Sequence, residues 1–193
     1  EDEVLALVGA GAPGLSVSPQ SVVDHADAAL VEADDVAVET VLPAAATDLA
    51  RARTTVGLCA TQLGVLERAV ERTAEYARER EQFGKPIGSF QAVRHRLADA
   101  HLDVEAVRLT LWQAAWRLSE GATGADAAQE LATAKYWASE AGHRVAHAAV
   151  HLHGGVGIDT DHEIHRHFVA AKRTEFTLGG ATAHLRQLGA ALA

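Results

Sequence analysis

Hydrophobic residues recur every three or four positions over most of this chain, which is the pattern of amphipathic helices. The first stripe predicts a helix from about Thr47 to Arg80. Asp48 lies near its start, and Gly84 follows its end as a stop signal. The stripe consists of Val56, Cys59, Leu63, Leu66, Val70, Thr73 and Ala77.

Two further long stripes predict two further helices. Ser89 is the expected N-cap of the second helix, and Gly121 is its stop. The third helix ends at Gly154–Gly155, and its alanine-rich interior predicts a close approach of neighbouring helices. Shorter helices are expected around His162 to Thr174 and around Ala181 to Leu192. The second stripe is Val93, Leu97, Ala100, Val104, Val107, Leu111, Ala114 and Leu118, and the third is Leu131, Ala134, Ala138, Ala141, Val145, Ala148 and Leu152.

The first 43 residues have a different pattern. Leu15–Ser18 is a short strand-like piece, and a second one is predicted where Val36, Val38 and Leu42 alternate with Ala37, Glu39 and Val41. So little strand cannot close a sheet alone. We therefore expect residues 1–43 to be the C-terminal remnant of a β domain and residues 44–193 to be a helical bundle domain. The predicted fold class is mainly α, an antiparallel helical bundle preceded by the end of a β domain.

Composition and charge exclude some classes of protein. The 193 residues carry a formal net charge of −9, which argues against nucleic-acid binding but not against a polyanionic cofactor. No apolar run approaches the roughly 20 residues of a membrane span, so we expect no membrane association. Cys59 is the one cysteine and suits a cytoplasmic protein, where we expect it to act as a buried small hydrophobe. Because methionine is absent even at position 1, we expect the chain to begin inside a longer gene product.

The segment from Tyr76 to Gln91 carries the first candidate site. It contains Arg80, Gln82 and Phe83 where the first helix ends. One interpretation is structural: Arg80 complements the helix dipole, Gln82 is solvated and Phe83 packs under the turn. The other is functional, because a guanidinium can bind a pyrophosphate through two hydrogen bonds while an aromatic side chain packs on a ring system.

The segment from His151 to Gly157 carries the second candidate site. Its glycines can form a plain helix stop followed by a turn. They can also let backbone N–H groups approach a phosphate without interference from side chains.

Together, and in this order, the two segments resemble the acyl-CoA dehydrogenase family. The resemblance implies an FAD cofactor, with Arg80, Gln82 and Phe83 reaching the FAD of a neighbouring subunit. It also implies that His151, at a position where the family has Gln, contacts this FAD together with Gly154 and Gly155. The similarity continues through Pro86–Ile87, Phe90–Gln91, Leu97–Asp99, Arg166 and Ala171–Lys172.

The position of the family's catalytic glutamate has no carboxylate in this chain. Removal of the α-proton of a thioester requires a base at this place. Alignment through Ala171–Lys172 places Leu178 there, and alignment through Arg186 places Gly179 there. Some family members instead carry the base on the long helix, where this chain has Asp48–Arg51, with Ala50 at the position of the glutamate.

We therefore predict that the chain contributes no catalytic residue of its own. Glu175 lies one turn before the family's position and could be proposed as a substitute, although we expect a solvated helix charge. Some histidines are spaced so that they could bind a metal from one helix face, but their arrangement matches no metal-binding motif. We therefore expect no metal site.

The resemblance implies an oxidoreductase that dehydrogenates an acyl-CoA thioester between Cα and Cβ. Three hypotheses stay open. The chain is a base-lacking subunit of a heteromeric enzyme, as in bacterial dehydrogenases of sterol-derived thioesters, or it belongs to a homotetramer whose base is unplaced, or it is a helical module that only mediates assembly. For the enzymes, the expected partners are related acyl-CoA dehydrogenase subunits, the acyl-CoA substrate and an electron-transferring flavoprotein.

Overall fold

Two compact units divide the chain, residues 1–53 and residues 54–193. The computed structural model describes residues 4–24 and 26–191. The predicted domains at 1–43 and 44–193 thus include a few residues outside the described part, as does Leu192, the expected last residue of the final helix.

The first unit contains four short strands that form two antiparallel pairs. Strand β1 pairs with β4 in the register Leu5 to Leu42, and β2 pairs with β3 in the register Leu15 to Ala33. The strands span Leu5–Leu7 (β1), Leu15–Gln20 (β2), Ala28–Ala33 (β3) and Thr40–Leu42 (β4).

The prediction of a strand at Val36–Leu42 is largely wrong. Val36 and Val38 lie outside any strand, and only Thr40–Leu42 pairs. The pairing of β2 with β3 ends just before this segment, and Asp35 takes a φ of 49°, so the chain turns there. The sequence pattern also missed β3, because nearly all of its residues are exposed and no alternation of apolar and polar positions marks it.

Five helices make up most of the rest of the described residues, which confirms the predicted mainly α fold. The third helix ends at the glycines that the sequence indicated, and Gly154 takes a φ of 63° as its C-cap. The helices are Ala44–Glu79 (α1), Gln91–Ser119 (α2), Gly124–His153 (α3), Glu163–Phe176 (α4) and Ala181–Ala191 (α5). A hairpin of β5 (Glu81–Gln82) and β6 (Lys85–Pro86) and a 3₁₀ turn (Ile87–Ser89) join α1 to α2, and a second 3₁₀ segment (Gly154–Ile158) follows α3.

Two helix starts differ from the predictions. Helix α1 begins at Ala44, directly after Pro43, rather than at Thr47. Helix α2 is capped by Phe90 in an extended conformation and not by Ser89. The Ser89 hydroxyl instead donates a hydrogen bond to the Pro86 carbonyl, 2.7 Å away, because the 3₁₀ turn places Ser89 before the helix.

Small residues let the helices of the second unit pack closely. The core combines leucines and valines of α1 and α2 with alanines of α3 and α4. Gln62 on α1 is fully buried and donates to the carbonyls of Ala138 and Ala171, which joins three helices. A Cβ at Gly142 would lie 1.8 Å from the Gln62 amide nitrogen, so this crossing requires glycine. In the described part of the chain, no helix combines the length and the apolarity that a membrane crossing needs.

Candidate functional site

The hairpin between α1 and α2 ends in a two-residue turn. Gln82 pairs with Lys85, which leaves Phe83 and Gly84 at the turn, with φ values of 56° and 76°. Positive φ at both positions is the requirement of a type I′ turn, and it is rare for a bulky residue. The Phe83 side chain is 93% exposed and contacts Phe90 edge to face. The structural interpretation, in which Phe83 packs under the turn, is therefore wrong.

The residues before this turn present a charge and an amide to solvent. The side chains of Arg80 and Gln82 are exposed. Gln82 donates only to the neighbouring Glu81 carbonyl, at 2.8 Å, and Arg80 has no side-chain hydrogen bond or ion pair within the described residues. The Arg80 carbonyl accepts from the Ile87 amide at 2.8 Å, which closes the hairpin behind the turn. Residues 80–84, called the hairpin tip below, thus offer a cation and an aromatic ring on a fixed backbone.

The glycine turn, residues 154–157 after α3, has one open side and one closed side. Gly155 is exposed, and a Cβ added there would meet no atom within 4 Å. A Cβ on Gly157 would lie 2.6 Å from the Val150 carbonyl oxygen, so this glycine is required by packing. His151 is exposed on the last turn of α3. The turn can therefore accept a ligand against Gly155 without any change in the fold.

An aromatic stack joins the last turns of α1 and α3, which precede the hairpin tip and the glycine turn. The rings of Tyr76 and His153 lie 4.3 Å apart with an interplanar angle of 22°, and the Tyr76 hydroxyl donates to the His153 carbonyl at 3.4 Å. Tyr76 precedes Arg80 by one turn, and His153 directly precedes Gly154. Burial lowers the pKa of His153, whose ring also contacts the Ala149 carbonyl. The structure thus connects the two segments that the sequence named separately. From the sequence, no role was assigned to Tyr76 or His153, although each lies next to one of the two motifs.

The position of the family's base lies in a strained loop. Leu178 and Gly179 have φ values of 59° and 95°, and the Leu178 side chain is 48% exposed. The loop of residues 177–180, called the 177–180 loop below, contains threonine, leucine and two glycines. Neither aligned position can accept a proton.

Glu175 is not the solvated charge that the sequence suggested. It is 8% exposed, because it lies on the side of α4 that faces α3. One carboxylate oxygen contacts the Lys172 ammonium at 2.6 Å, and the other lies 3.3 Å from His143 Nδ1. Both carboxylate oxygens therefore already contact Lys172 or His143, so Glu175 does not present a free carboxylate to a substrate.

Other chemical groups of the second unit lie away from these segments. Burial raises the pKa of Cys59 to about 12, which confirms an inert thiol. A groove of about 490 Å³ between α1 and α2 contains Arg68 and Arg108, but glutamates already pair with both. No group of three or more metal-ligating side chains is assembled among the residues described.

Comparison with known proteins gives one consistent result. The sequence model described as "Acyl-CoA dehydrogenase, C-terminal domain" matches residues 42–193. Acyl-CoA dehydrogenase FadE27 of Mycobacterium tuberculosis is 51% identical, over 97% of this chain and 52% of that protein. The structure titled "Tcur3481-Tcur3483 steroid ACAD G363A variant" superposes with a TM-score of 0.92 at 43% identity, over 98% of this chain and 51% of that one.

A second solved structure agrees with the first. The ChsE4-ChsE5 complex from Mycobacterium tuberculosis contains a chain that is 50% identical, with a TM-score of 0.86, over 98% of this chain and 52% of that one. The chain spans about half the length of the relatives it matches. On the family match across residues 42–193, the chain belongs to the acyl-CoA dehydrogenase family.

Proposed function

We propose that this chain belongs to an FAD-dependent enzyme that dehydrogenates an acyl-CoA thioester between Cα and Cβ. In this proposal the chain binds FAD and contacts a neighbouring subunit, while a related partner subunit supplies the catalytic glutamate. One observation carries the proposal: the hairpin tip exposes a strained Phe83 and an Arg80 that has no side-chain partner among the described residues, whereas Leu178 and Gly179 occupy the base position.

The residues present fit the cofactor. The Arg80 guanidinium would hold the pyrophosphate, and Phe83 would pack against a ring of the dinucleotide. The backbone at Gly155 is open to a phosphate, and His151 and Gln82 would add hydrogen bonds. The bound flavin would supply hydride transfer, for which a protein contributes orientation and a base. Gly154 would contribute through its left-handed backbone, which ends α3 and turns the chain toward Gly155.

The heteromeric arrangement is favoured over a homotetramer with an unplaced base. The carboxylate one turn before the base position, that of Glu175, is buried and held on both oxygens by Lys172 and His143. Some family members carry the base on the long helix, at the position of the segment Asp48–Arg51. This chain has Ala50 where those members have the glutamate. A partner subunit that carries the catalytic glutamate would supply the base that this chain lacks at both positions.

The similar structures favour a particular kind of assembly and substrate. One of them is a complex of two proteins, ChsE4 and ChsE5, and the other, which joins Tcur3481 and Tcur3483, is described as a steroid ACAD. By analogy we propose a heterotetramer that acts on a thioester with a bulky, steroid-derived acyl group. An electron-transferring flavoprotein would accept the electrons. We further propose that the enzyme is cytoplasmic and that residues 1–43 form the end of a β domain.

The test is the composition and activity of the native assembly. We expect the purified complex to contain two related polypeptides and bound FAD, as measured by native mass spectrometry and flavin absorbance. We also expect the complex, but not this polypeptide alone, to oxidise acyl-CoA with an artificial electron acceptor. Turnover by this polypeptide alone that survives Glu175→Gln would contradict the division of roles. A native complex without flavin would support a purely structural module instead.

A further inference from the structure

A buried lysine that the proposed chemistry does not use lies under the 177–180 loop. Lys135 projects from α3 and has no exposed surface. Four oxygen atoms surround its ammonium nitrogen: Ser139 Oγ at 2.8 Å, and the carbonyls of Gly179, Glu175 and Thr174 at 2.9, 3.1 and 3.2 Å. None of these is a carboxylate oxygen, so Lys135 is held by dipoles and not by a paired charge.

The surrounding oxygens belong to one end of α4 and to the loop that follows it. The carbonyls of Thr174 and Glu175 are among those that the end of α4 leaves without helical partners, and they carry the negative end of the helix dipole. The Gly179 carbonyl lies beyond the helix, directly after Leu178. Lys135 therefore ties the loop to the helix end through a single cationic group.

The loop needs such a restraint because its backbone is strained. Leu178 occupies the left-handed region, which is unfavourable for a leucine. Its half-exposed side chain provides little packing that could hold this conformation. The Leu178 carbonyl lies 3.0 Å from His184 Nε2 on α5, which provides a second anchor. Both anchors act on the backbone, so the conformation does not depend on the chemistry of side chain 178.

We propose that Lys135 is a positioning residue that fixes the 177–180 loop in its left-handed conformation. The inference relies on the proposed function only for the identity of this loop as the family's base position. It explains how the loop can keep a defined shape with leucine where the family has glutamate. In this proposal the loop has a fixed backbone conformation in the assembly but takes no part in proton transfer.

This role is distinct from a contribution to overall stability. Taking an ammonium out of water is unfavourable, so an apolar residue of similar size removes a burial cost that offsets the hydrogen bonds lost with Lys135. Methionine has nearly the length of lysine but cannot donate a hydrogen bond. Lys135→Met should therefore release the loop while the rest of the bundle keeps its stability.

Hydrogen exchange in the native assembly tests this inference. The amides of Thr177, Gly179 and Ala183 bond to carbonyls at or beside the loop and report its opening. In Lys135→Met we expect their exchange to accelerate by about tenfold to a hundredfold, the factor that a lost charge-assisted hydrogen bond represents. The amides of α2 should exchange as before, and the urea midpoint should stay unchanged. Lys172→Met is the matched control, because it removes a partly exposed ammonium from α4 that contacts the Glu175 carboxylate and not the carbonyls that Lys135 holds.

Ser139→Ala is the second variant, in case Lys135→Met does not fold. The Ser139 hydroxyl accepts from Lys135 and donates to the Glu175 carbonyl at 3.1 Å, so its loss should produce a smaller acceleration in the same amides. Unchanged loop exchange in the folded variants would overturn the proposal. Equal acceleration throughout the bundle would also overturn it, because Lys135 would then act only on global stability. Neither result depends on flavin, so the outcome is separate from that of the proposed function.

Discussion

The hairpin tip and the 177–180 loop are both strained, but they present opposite chemistry. At the tip, a non-glycine residue with positive φ exposes an aromatic ring beside an unpaired cation. In the loop, a non-glycine residue with positive φ presents only an aliphatic side chain, and a buried lysine holds the backbone from below. Strain of this kind is a reason to look for function. In the function proposed above, the hairpin tip would contact the cofactor, and the 177–180 loop would leave proton transfer to a partner subunit.

The first prediction concerns the contact side and uses Gly155→Val. A Cβ at this position meets no atom of the described residues within 4 Å apart from its chain neighbours, so we expect the fold to be unaffected. If FAD lies against this backbone, the extra bulk should weaken binding by about 1 to 3 kcal/mol, the range of overpacked sites. Flavin titration of the reconstituted complex measures the change. Gly64→Val on α1, where a Cβ also meets nothing, is the control and should bind normally. Normal flavin content in Gly155→Val would contradict the assignment.

A second prediction asks whether the hairpin tip and the glycine turn act together. Tyr76→Leu removes the ring that stacks on His153, and we expect a loss of about 1 to 2 kcal/mol in the free energy of unfolding. Flavin affinity should fall as well, since both segments lose their common support. Tyr76→Phe keeps the stack and loses only the 3.4 Å hydroxyl contact with the His153 carbonyl, so its losses in urea unfolding and flavin titration should be smaller than those of Tyr76→Leu. Equal behaviour of the leucine and phenylalanine variants would mean that the stack does not couple the segments.

Burial of His153 in this stack predicts that the free energy of unfolding depends on pH. Burial lowers the pKa of His153 in the folded state, so the unfolded chain binds a proton first as the pH falls below about 6.5. Stability should therefore be complete above that pH and decrease below it, by at most about 1.4 kcal/mol per pH unit for this one proton. His153→Phe should make the profile shallower but not flat, because burial lowers the pKa of His147 and His167 too. A profile identical to that of the unmodified protein would rule out a contribution from His153.

The smallest predicted effect lies in the 177–180 loop. Asparagine adopts the left-handed region more readily than leucine, and Leu178 is half exposed and loses little buried area. Leu178→Asn should therefore raise the free energy of unfolding by about 0.5 to 1 kcal/mol. Chemical denaturation measures this change. A clear loss of stability would indicate that the leucine side chain, and not the backbone anchors, holds the loop.

The sequence predicted the helices well because they are long and strongly periodic. Helix α3 ends at Gly154 as expected, since only a residue tolerant of positive φ suits that C-cap. Short elements without periodicity were not predictable. Strand β3 is exposed on both faces, and Ser89 was displaced from its capping role by a 3₁₀ turn that no pattern indicated.

The site was predictable as a set of residues but not as a geometry. The motifs named Arg80 and Phe83, but the positive φ of Phe83 depends on a two-residue hairpin that spacing alone does not reveal. Glu175 was misassigned because its environment comes from α3, some 30 residues away in sequence. Lys135 was missed for the same reason, since its carbonyl partners lie 39 to 44 residues further along the chain.

The most direct measurement of the central claim is the flavin affinity of the complex that carries Arg80→Ala. A lost charge-assisted contact to a pyrophosphate is worth about 1.5 to 3 kcal/mol, so we expect FAD to dissociate about ten- to a hundredfold more readily. The control is Arg78→Ala, which removes an equally exposed guanidinium from the last turn of α1. Unchanged flavin affinity in Arg80→Ala, or an equal loss in both variants, would contradict a specific cofactor contact at the hairpin tip.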